Sequence, residues 1–310
     1  DPASAEKVLS LNQDGGIDDA AIASDLESFP TDALTVEVRF SSQQTDVGNG
    51  TPLFSYSASD GSDNEALIWL EGSSGKLHLY LAGKKINTGV DNAELLDGNE
   101  HQVSFTWDQA SNELKVYVDG EMAFDSTVDI RDLKANGTLA FGQEQDAEGG
   151  AFDIRQVFEG EIAEVRIFDY ARSDVEIADN LGAPIGSPDT EPGLVNNWVM
   201  NAESNGAIED LVGANDLQLT NGAAVQNSVN SATPLVAEND PGAMIGALSA
   251  TDRVTGEPIS NFAIVDDSSD LFEIDGNQLK LKDGAAFDYE AQHSHEVVIE
   301  AIAENGETTQ

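Results

Sequence analysis

The chain has 310 residues, 40% of them hydrophobic, which is enough for two domains of ordinary size, each with its own core. Its 14 basic and 58 acidic residues leave a net charge of −44, a field that repels nucleic-acid phosphates and anionic lipid headgroups and so excludes both as natural partners. No apolar run reaches the ~18 residues of a spanning helix, and the absence of cysteine removes disulfides, thiolate zinc sites and cysteine nucleophiles together. The chain starts without Met and stops directly after a strand-like run, so it is expected to be a segment of a longer protein with flanking repeats.

In chain order, period-two alternation appears first at Leu34-Thr35-Val36-Glu37-Val38-Arg39-Phe40 and again at Leu77-His78-Leu79-Tyr80-Leu81. It returns at Val103-Ser104-Phe105-Thr106-Trp107 and Leu114-Lys115-Val116-Tyr117-Val118, predicting strands with one apolar and one polar face. Asp119-Gly120, set between Val118 and Glu121, predicts a tight type I′ hairpin, because both residues tolerate positive φ. Short strands separated by Gly, Asn and Asp describe an all-β sandwich. One helix is expected: Ser173 and Glu176 form a capping box, and Gly182 follows the helical run as its stop. Strand-like runs resume around Trp198 and Leu217-Gln218-Leu219, and the polar segment Gln226 to Ser231 sets a domain boundary near residue 230. The expected organisation is therefore a domain over 1–230 and a second over 231–310.

Oxygen donors cluster at Asp63-Asn64, at Glu144-Gln145-Asp146, and at Asp153 with Gln156. In extended chain, Glu144 and Asp146 would share a face, and Gln145 would present its main-chain carbonyl between them. Such a set suits a hard cation, and two Ca²⁺ ions would neutralise four carboxylates. A plain alternative is that acidic loops in so acidic a chain are simply solvated.

The run from Phe141 to Gln156, Phe-Gly-Gln-Glu-Gln-Asp-Ala-Glu-Gly-Gly-Ala-Phe-Asp-Ile-Arg-Gln, resembles the calcium loop of the pentraxins. Phe54-Ser55-Tyr56 with Asp63-Asn64-Glu65 is similar to the loop that completes the first calcium in that family, and His101 to Asp108 and Gly160 to Asp169 resemble it too. The resemblance covers about residues 30 to 185 and extends, as a laminin-G-like sandwich, to about 228. It implies an antiparallel jelly roll with two Ca²⁺ held by Asp63, Asn64, Glu144, Gln145, Asp146, Asp153 and Gln156. The two cysteines that cross-link pentraxin sheets align with Glu37 and Ser104, so that bond is absent. By the same resemblance an aromatic beside the calcium pair packs the ligand. Trp69 falls near that place, either stacking a sugar ring or packing as a core residue of its own strand, and Tyr80 is a second possible wall. The acid that faces a choline cation in some pentraxins falls near Lys84-Lys85. Lys85, unless it is only a solvated hairpin residue, would then favour saccharides or anionic, oxygen-rich ligands.

Glu144 to Glu148 is also similar to the alternating acid strand of concanavalin-like glucanases, although Gly149-Gly150 directly after it suggests a loop. Residues 234 to 310 resemble a bacterial cadherin-like repeat through Glu238-Asn239, Asp252, Phe272-Glu273-Ile274, Leu279-Lys280-Leu281 and Asp288-Tyr289-Glu290. That resemblance implies a Greek-key sandwich whose Glu238, Asp288 and Glu290 gather at one end as part of a further, incomplete calcium site. Together the two resemblances imply a non-enzymatic, calcium-dependent, lectin-like module. It would be presented on an extender at a bacterial cell surface, outside the cell, and would take a cell-surface glycan or another small anionic ligand. The alternatives are a purely structural spacer rigidified by calcium and, more distantly, a glycoside hydrolase.

Overall fold

A computed structural model describes residues 7–11, 19–58, 62–153, 155–182, 185 and 187–228. Toward the C-terminus it describes 244–247, 250–251, 258–259, 261–267, 269–276, 278–282, 284–286, 297–302 and 308–309, and the side chains of Ser62 and Asp63 lie outside this set. The chain divides into two compact units, a larger one over Glu6–Ala232 and a smaller one that is chiefly Thr233–Gln310.

The larger unit is built from β1 (Lys7–Leu11), β2 (Ala20–Leu26), β3 (Ala33–Ser41), β4 (Gly50–Ala58), β5 (Ser62–Glu71), β6 (Lys76–Leu81) and β7 (Lys84–Asp91). The short helix α1 (Asn92–Leu95) leads to β8 (Glu100–Asp108), β9 (Glu113–Val118), β10 (Glu121–Thr127), β11 (Gly137–Phe141) and β12 (Gly160–Phe168). Helix α2 (Asp174–Asp179) precedes β13 (Leu194–Ser204), β14 (Ala207–Asp210), β15 (Leu217–Thr220) and β16 (Ala224–Asn227). Hydrogen bonding runs β10-β9-β8-β3-β12-β13-β14-β15-β2-β11-β4-β5-β6-β7, with β1 lying between β12 and β16. Every described pairing in this unit is antiparallel. The described strands at the two ends of this path, β10 and β7, lie in contact, so the ribbon of strands folds over on itself as a jelly-roll sandwich.

The alternation read from the sequence positions the core. Leu34, Val36, Val38 and Phe40 of β3 are buried with Val103, Phe105 and Trp107 of β8. Edge-to-face contacts run from Phe54 to Phe141 and on to Trp198, the geometry that aromatic quadrupoles favour. The expected hairpin is present: Asp119 (φ 50°) and Gly120 (φ 83°) join Val118 to its register partner Glu121. The helix is capped as expected, since the Glu176 N–H donates to Ser173 Oγ at 3.3 Å and the Ser173 N–H donates to Glu176 Oε2 at 2.8 Å.

The polar face of β3 carries what stands in place of a cross-link. Glu37 and Ser104, the positions matched to the pentraxin cysteines, are direct register partners on β3 and β8. Instead of a covalent bond, Glu37 Oε2 accepts from Arg166 at 3.3 Å, and Glu37 Oε1 accepts from Arg172 on the segment entering α2. Arg166 is also forked onto Glu164 at 2.9 and 2.8 Å, and Glu164 accepts from Asn197 of β13 at 3.0 Å. All of these side chains are almost completely buried.

The smaller unit holds antiparallel pairs at Phe262–Asp267 with Val297–Ile302 and at Phe272–Asp275 with Gln278–Leu281, around a core of Phe272, Leu279 and Leu281. Two of the segments that resemble a cadherin-like repeat thus form a hairpin. Glu238, Asp288 and Glu290 lie outside the described residues.

Two measurements check this account. Glu37→Gln leaves Arg166 and Arg172 facing a neutral partner inside the fold, and we expect a loss of about 3–5 kcal/mol in denaturant unfolding. The second concerns His101, whose ring contacts Asp119 at 2.8 Å and Asp97 at 3.1 Å. Burial opposes the charged imidazole, but these two carboxylates raise its pKa above the ordinary value. The folded state therefore binds this proton more tightly than the unfolded chain. The stabilisation is full below about pH 6.5 and disappears as pH rises through the folded value. Thermal midpoints of the wild type should fall relative to those of His101→Asn across that window.

Candidate functional site

The expected metal-ligating residues lie on two segments, and β4 stands between them. On one flank β4 pairs with β5, the strand that starts beside Asp63 and Asn64; on the other it pairs with β11, whose C-terminal end at Phe141 leads into the acidic loop. Gly142 (φ 87°) takes the chain out of the sheet, and a Cβ there would lie 2.5 Å from the Asp19 carbonyl oxygen. The loop is closed at its base by a bridge between Gln143 and Val157, which sets Glu144 and Gln156 just inside the same opening. At its tip a turn runs from Ala147 to Gly150, with the Gly150 N–H donating to the Ala147 carbonyl at 2.9 Å.

Gln145 fastens this loop to β4. Its side chain is fully buried, and Nε2 donates to the Ser55 carbonyl at 2.8 Å and to the Thr138 carbonyl at 3.0 Å. Its Oε1 accepts from the Gly149 N–H at 2.8 Å, so one amide ties strand, strand and loop tip together. The base is held separately: Val157 O accepts from Thr51 Oγ1 at 2.6 Å and from Gln44 Nε2 at 2.9 Å. The sequence offered no signal for Gln44 or Thr51, whose partner lies more than a hundred residues away, and it marked Ser55 only as part of a family-like segment, with no hint of its bond to Gln145.

Glu144 is 3% exposed, whereas Asp146 is exposed, so the two carboxylates do not share an extended face as the sequence suggested. The reason is that β11 ends at Phe141 and residues 144–146 are irregular. The same fact removes the alternating acid strand that a glucanase-like site needs, since Glu148 sits in the tip turn. Asp153 and Gln156 share a second turn, in which the Gln156 N–H donates to the Asp153 carbonyl at 2.8 Å. The Asp153 carboxylate is gripped by Arg155, with Nε 3.0 Å from Oδ1 and an η nitrogen 2.6 Å from Oδ2; these hydrogen bonds hold its pKa down at about 2. On the β5 side, Asn64 sits at φ 53°, and its carbonyl accepts from the Gly83 N–H at 3.2 Å in the β6–β7 turn. Glu65, next to it, is buried and takes a bidentate pair of 2.6 Å bonds from Arg131.

The donors are all carboxylates and amides, the chemistry that a hard cation such as calcium takes. Gln143 at the base of the loop is fully buried, and neither polar atom of its amide has a hydrogen-bond partner among the described residues. No three His, Cys, Asp or Glu side chains among the described residues are gathered closely enough to hold a metal ion, a set that leaves out the side chain of Asp63.

The expected ligand wall lies elsewhere. Trp69 is five residues along β5 from Asn64, roughly 17 Å in extended chain, and is 5% exposed. Its indole lies over Gly50, where a Cβ would meet the ring at 2.2 Å, so Trp69 packs within its sheet and presents no face for stacking. Lys85 is paired with Glu71 at the opposite end of β5 from Asn64, and its ammonium stands 5.6 Å from the centroid of the Tyr80 ring. Lys85 thus joins Glu71 and the Tyr80 ring in one cluster, while its main chain lies two residues from Gly83, whose N–H is bonded to Asn64.

An antiparallel jelly roll with an irregular, oxygen-rich loop fastened across one strand defines a lectin-like sandwich. The Pentaxin family model matches residues 18–196, more than half of the chain, and the chain belongs to that family. Mouse serum amyloid P-component is 31% identical over 165 residues, covering 53% of this chain and 70% of the relative. Other curated relatives are much longer, and the chain spans about a third or less of their length. Two solved structures share the fold. One is a heptameric serum amyloid P-like pentraxin from Limulus polyphemus (TM-score 0.52, 20% identity, 73% of this chain and 97% of that one). The other is a putative carbohydrate-binding protein from Bacteroides ovatus (TM-score 0.57, 16% identity, 74% and 62%).

Replacing Gln145 by Ala removes four side-chain hydrogen bonds and leaves the carbonyls of Ser55 and Thr138 without their amide donor. We expect a loss of about 2–4 kcal/mol in chemical denaturation. Proteolysis should also move to residues 143–150.

Proposed function

We propose that the larger unit is a calcium-dependent, non-enzymatic ligand-binding module that takes a saccharide or another anionic, oxygen-rich ligand. The observation that carries this reading is the loop from Gly142 to Val157, fastened across β4 by Gln145 and so held in line with the β5 segment at Asp63-Asn64. Two Ca²⁺ ions would be held there by the carboxylates of Asp63, Glu144, Asp146 and Asp153, the amides of Asn64 and Gln156, and the main-chain carbonyl of Gln145. Membership of the Pentaxin family and the shared fold of a putative carbohydrate-binding protein support a glycan as the ligand. The proposal extends to an extracellular setting at a bacterial surface. There the smaller unit would act as a cadherin-like extender, with Glu238, Asp288 and Glu290 contributing to a junction site completed by a neighbouring repeat.

A second reading is favoured by one specific observation. Trp69 is packed over Gly50, and Lys85 is held between Glu71 and the Tyr80 ring, so the three residues expected to wall a ligand are engaged with other parts of the fold. In that reading calcium stiffens a spacer and no small ligand is taken. The deciding experiment is an array of glycans, phosphorylated headgroups and peptides, probed with the protein in calcium and in chelator. Binding to one class that vanishes on chelation supports the module. Folded protein that binds nothing in calcium supports the spacer.

Mutation tests the metal assignment independently of any ligand. Asp146→Ala should weaken calcium binding by at least tenfold in calorimetric titration and remove most of the calcium-dependent rise in thermal midpoint. Glu148→Ala, on the exposed tip turn, should leave both unchanged. Equal effects of the two substitutions would count against the assignment.

A further inference from the structure

Arg155 lies on the same turn as Asp153, two residues away, and engages that carboxylate fully. Its guanidinium uses Nε on one oxygen and an η nitrogen on the other, and its main-chain N–H adds a third bond to Oδ1 at 3.0 Å. This planar fork is the arrangement that arginine forms and lysine cannot. Because the partners are neighbours in one turn, the pair forms whenever the turn does. The turn itself is pinned through its main chain: the Arg155 carbonyl packs so closely on Gly48 that a Cβ there would stand 2.9 Å from its oxygen. The guanidinium, in contrast, belongs to a side chain 70% exposed, while that of Asp153 is 25% exposed. The guanidinium can therefore swing into water while the main chain of the turn stays against Gly48.

A carboxylate with both oxygens committed to a guanidinium has little left for a divalent cation, and two positive centres on one carboxylate repel each other. We propose that Arg155 is a built-in cation that competes with calcium for Asp153 and so lowers the metal affinity of the loop. Arg155 here is an affinity-setting residue, not a ligand. The inference rests on the calcium reading given above and deepens it.

The test is a set of calorimetric titrations of the full chain with calcium alone, using wild type, Arg155→Gln, Asp153→Asn and the double variant. Removing an exposed ion pair that competes with the metal should tighten calcium binding by roughly two- to tenfold in Arg155→Gln. That gain should disappear in the Asp153→Asn background, because there is then nothing to compete for. Unchanged or weaker binding in Arg155→Gln overturns the inference and leaves the calcium site standing. A gain of equal size with and without Asp153 also overturns it, because the effect would then be one of general charge. Calcium uptake by none of the four proteins overturns the calcium reading and this inference together.

Discussion

The constraint on which the larger unit depends is the burial of Glu37 between two arginines. Its carboxylate holds Arg166 on the neighbouring strand β12 and Arg172 on the approach to α2, and Arg166 in turn holds Glu164, which receives Asn197 from β13. Three strands and the chain leading into the helix therefore meet on one polar layer beneath the helical side of the sandwich. Such a layer is costly to desolvate and gives little net stability over an apolar one. What it gives is specificity: each donor has a particular acceptor, and a slip of β3 by one residue would turn Glu37 into the apolar core beside Val103 and Phe105 of β8 and turn Val36 and Val38 out of it.

The acidic loop depends on a second register, at β11 and β4. β11 and β4 are paired with Leu139 opposite Tyr56, and the aromatic chain from Phe54 through Phe141 to Trp198 locks that pairing from the core side. Only then do the carbonyls of Ser55 and Thr138 stand where a single amide from Gln145 can reach both. The loop thus takes its placement from one glutamine and a threonine–glutamine pair at its base, while Asp146 and Glu148 are left to the exterior and Asp153 to Arg155. Scaffold and chemistry are carried by different side chains, which is why Gln145 can be rigid and buried while Asp146, next to it, is open to water.

Much of the fold was legible in the sequence, because period-two alternation on a one-sided sheet is a direct print of burial. β3, β6, β8 and β9, the Asp119-Gly120 hairpin and the capped helix at Ser173 all stand where alternation, turn chemistry and capping place them. The acidic loop was legible as a composition and a spacing. Two things were not. The relation between Glu144 and Asp146 depends on where β11 stops, and that is set by Gly142 close against the Asp19 carbonyl, a contact over more than a hundred residues. A core place in its own strand was one of the two readings open for Trp69, but the choice between them depends on Gly50 making room for an indole from the next strand, and nothing in either residue's local sequence announces that. The ion pair of Lys85 with Glu71 was likewise invisible, because it joins two strands through a third.

The first and last strands of the larger unit bear on how it would carry load. β1 and β16 are antiparallel partners with Lys7 opposite Asn227 and Ser10 opposite Ala224, so the chain enters and leaves the unit at one point. Tension applied through the flanking chain acts along the inter-strand hydrogen bonds of this pair, which run perpendicular to the strands. It therefore opens them one after another, from Lys7–Asn227 inward, rather than shearing all of them at once. With no covalent cross-link to halt the peeling, the unit is mechanically compliant at its ends, and a pull would release β16, whose described strand partner is β1, while β1 itself stays held to β12.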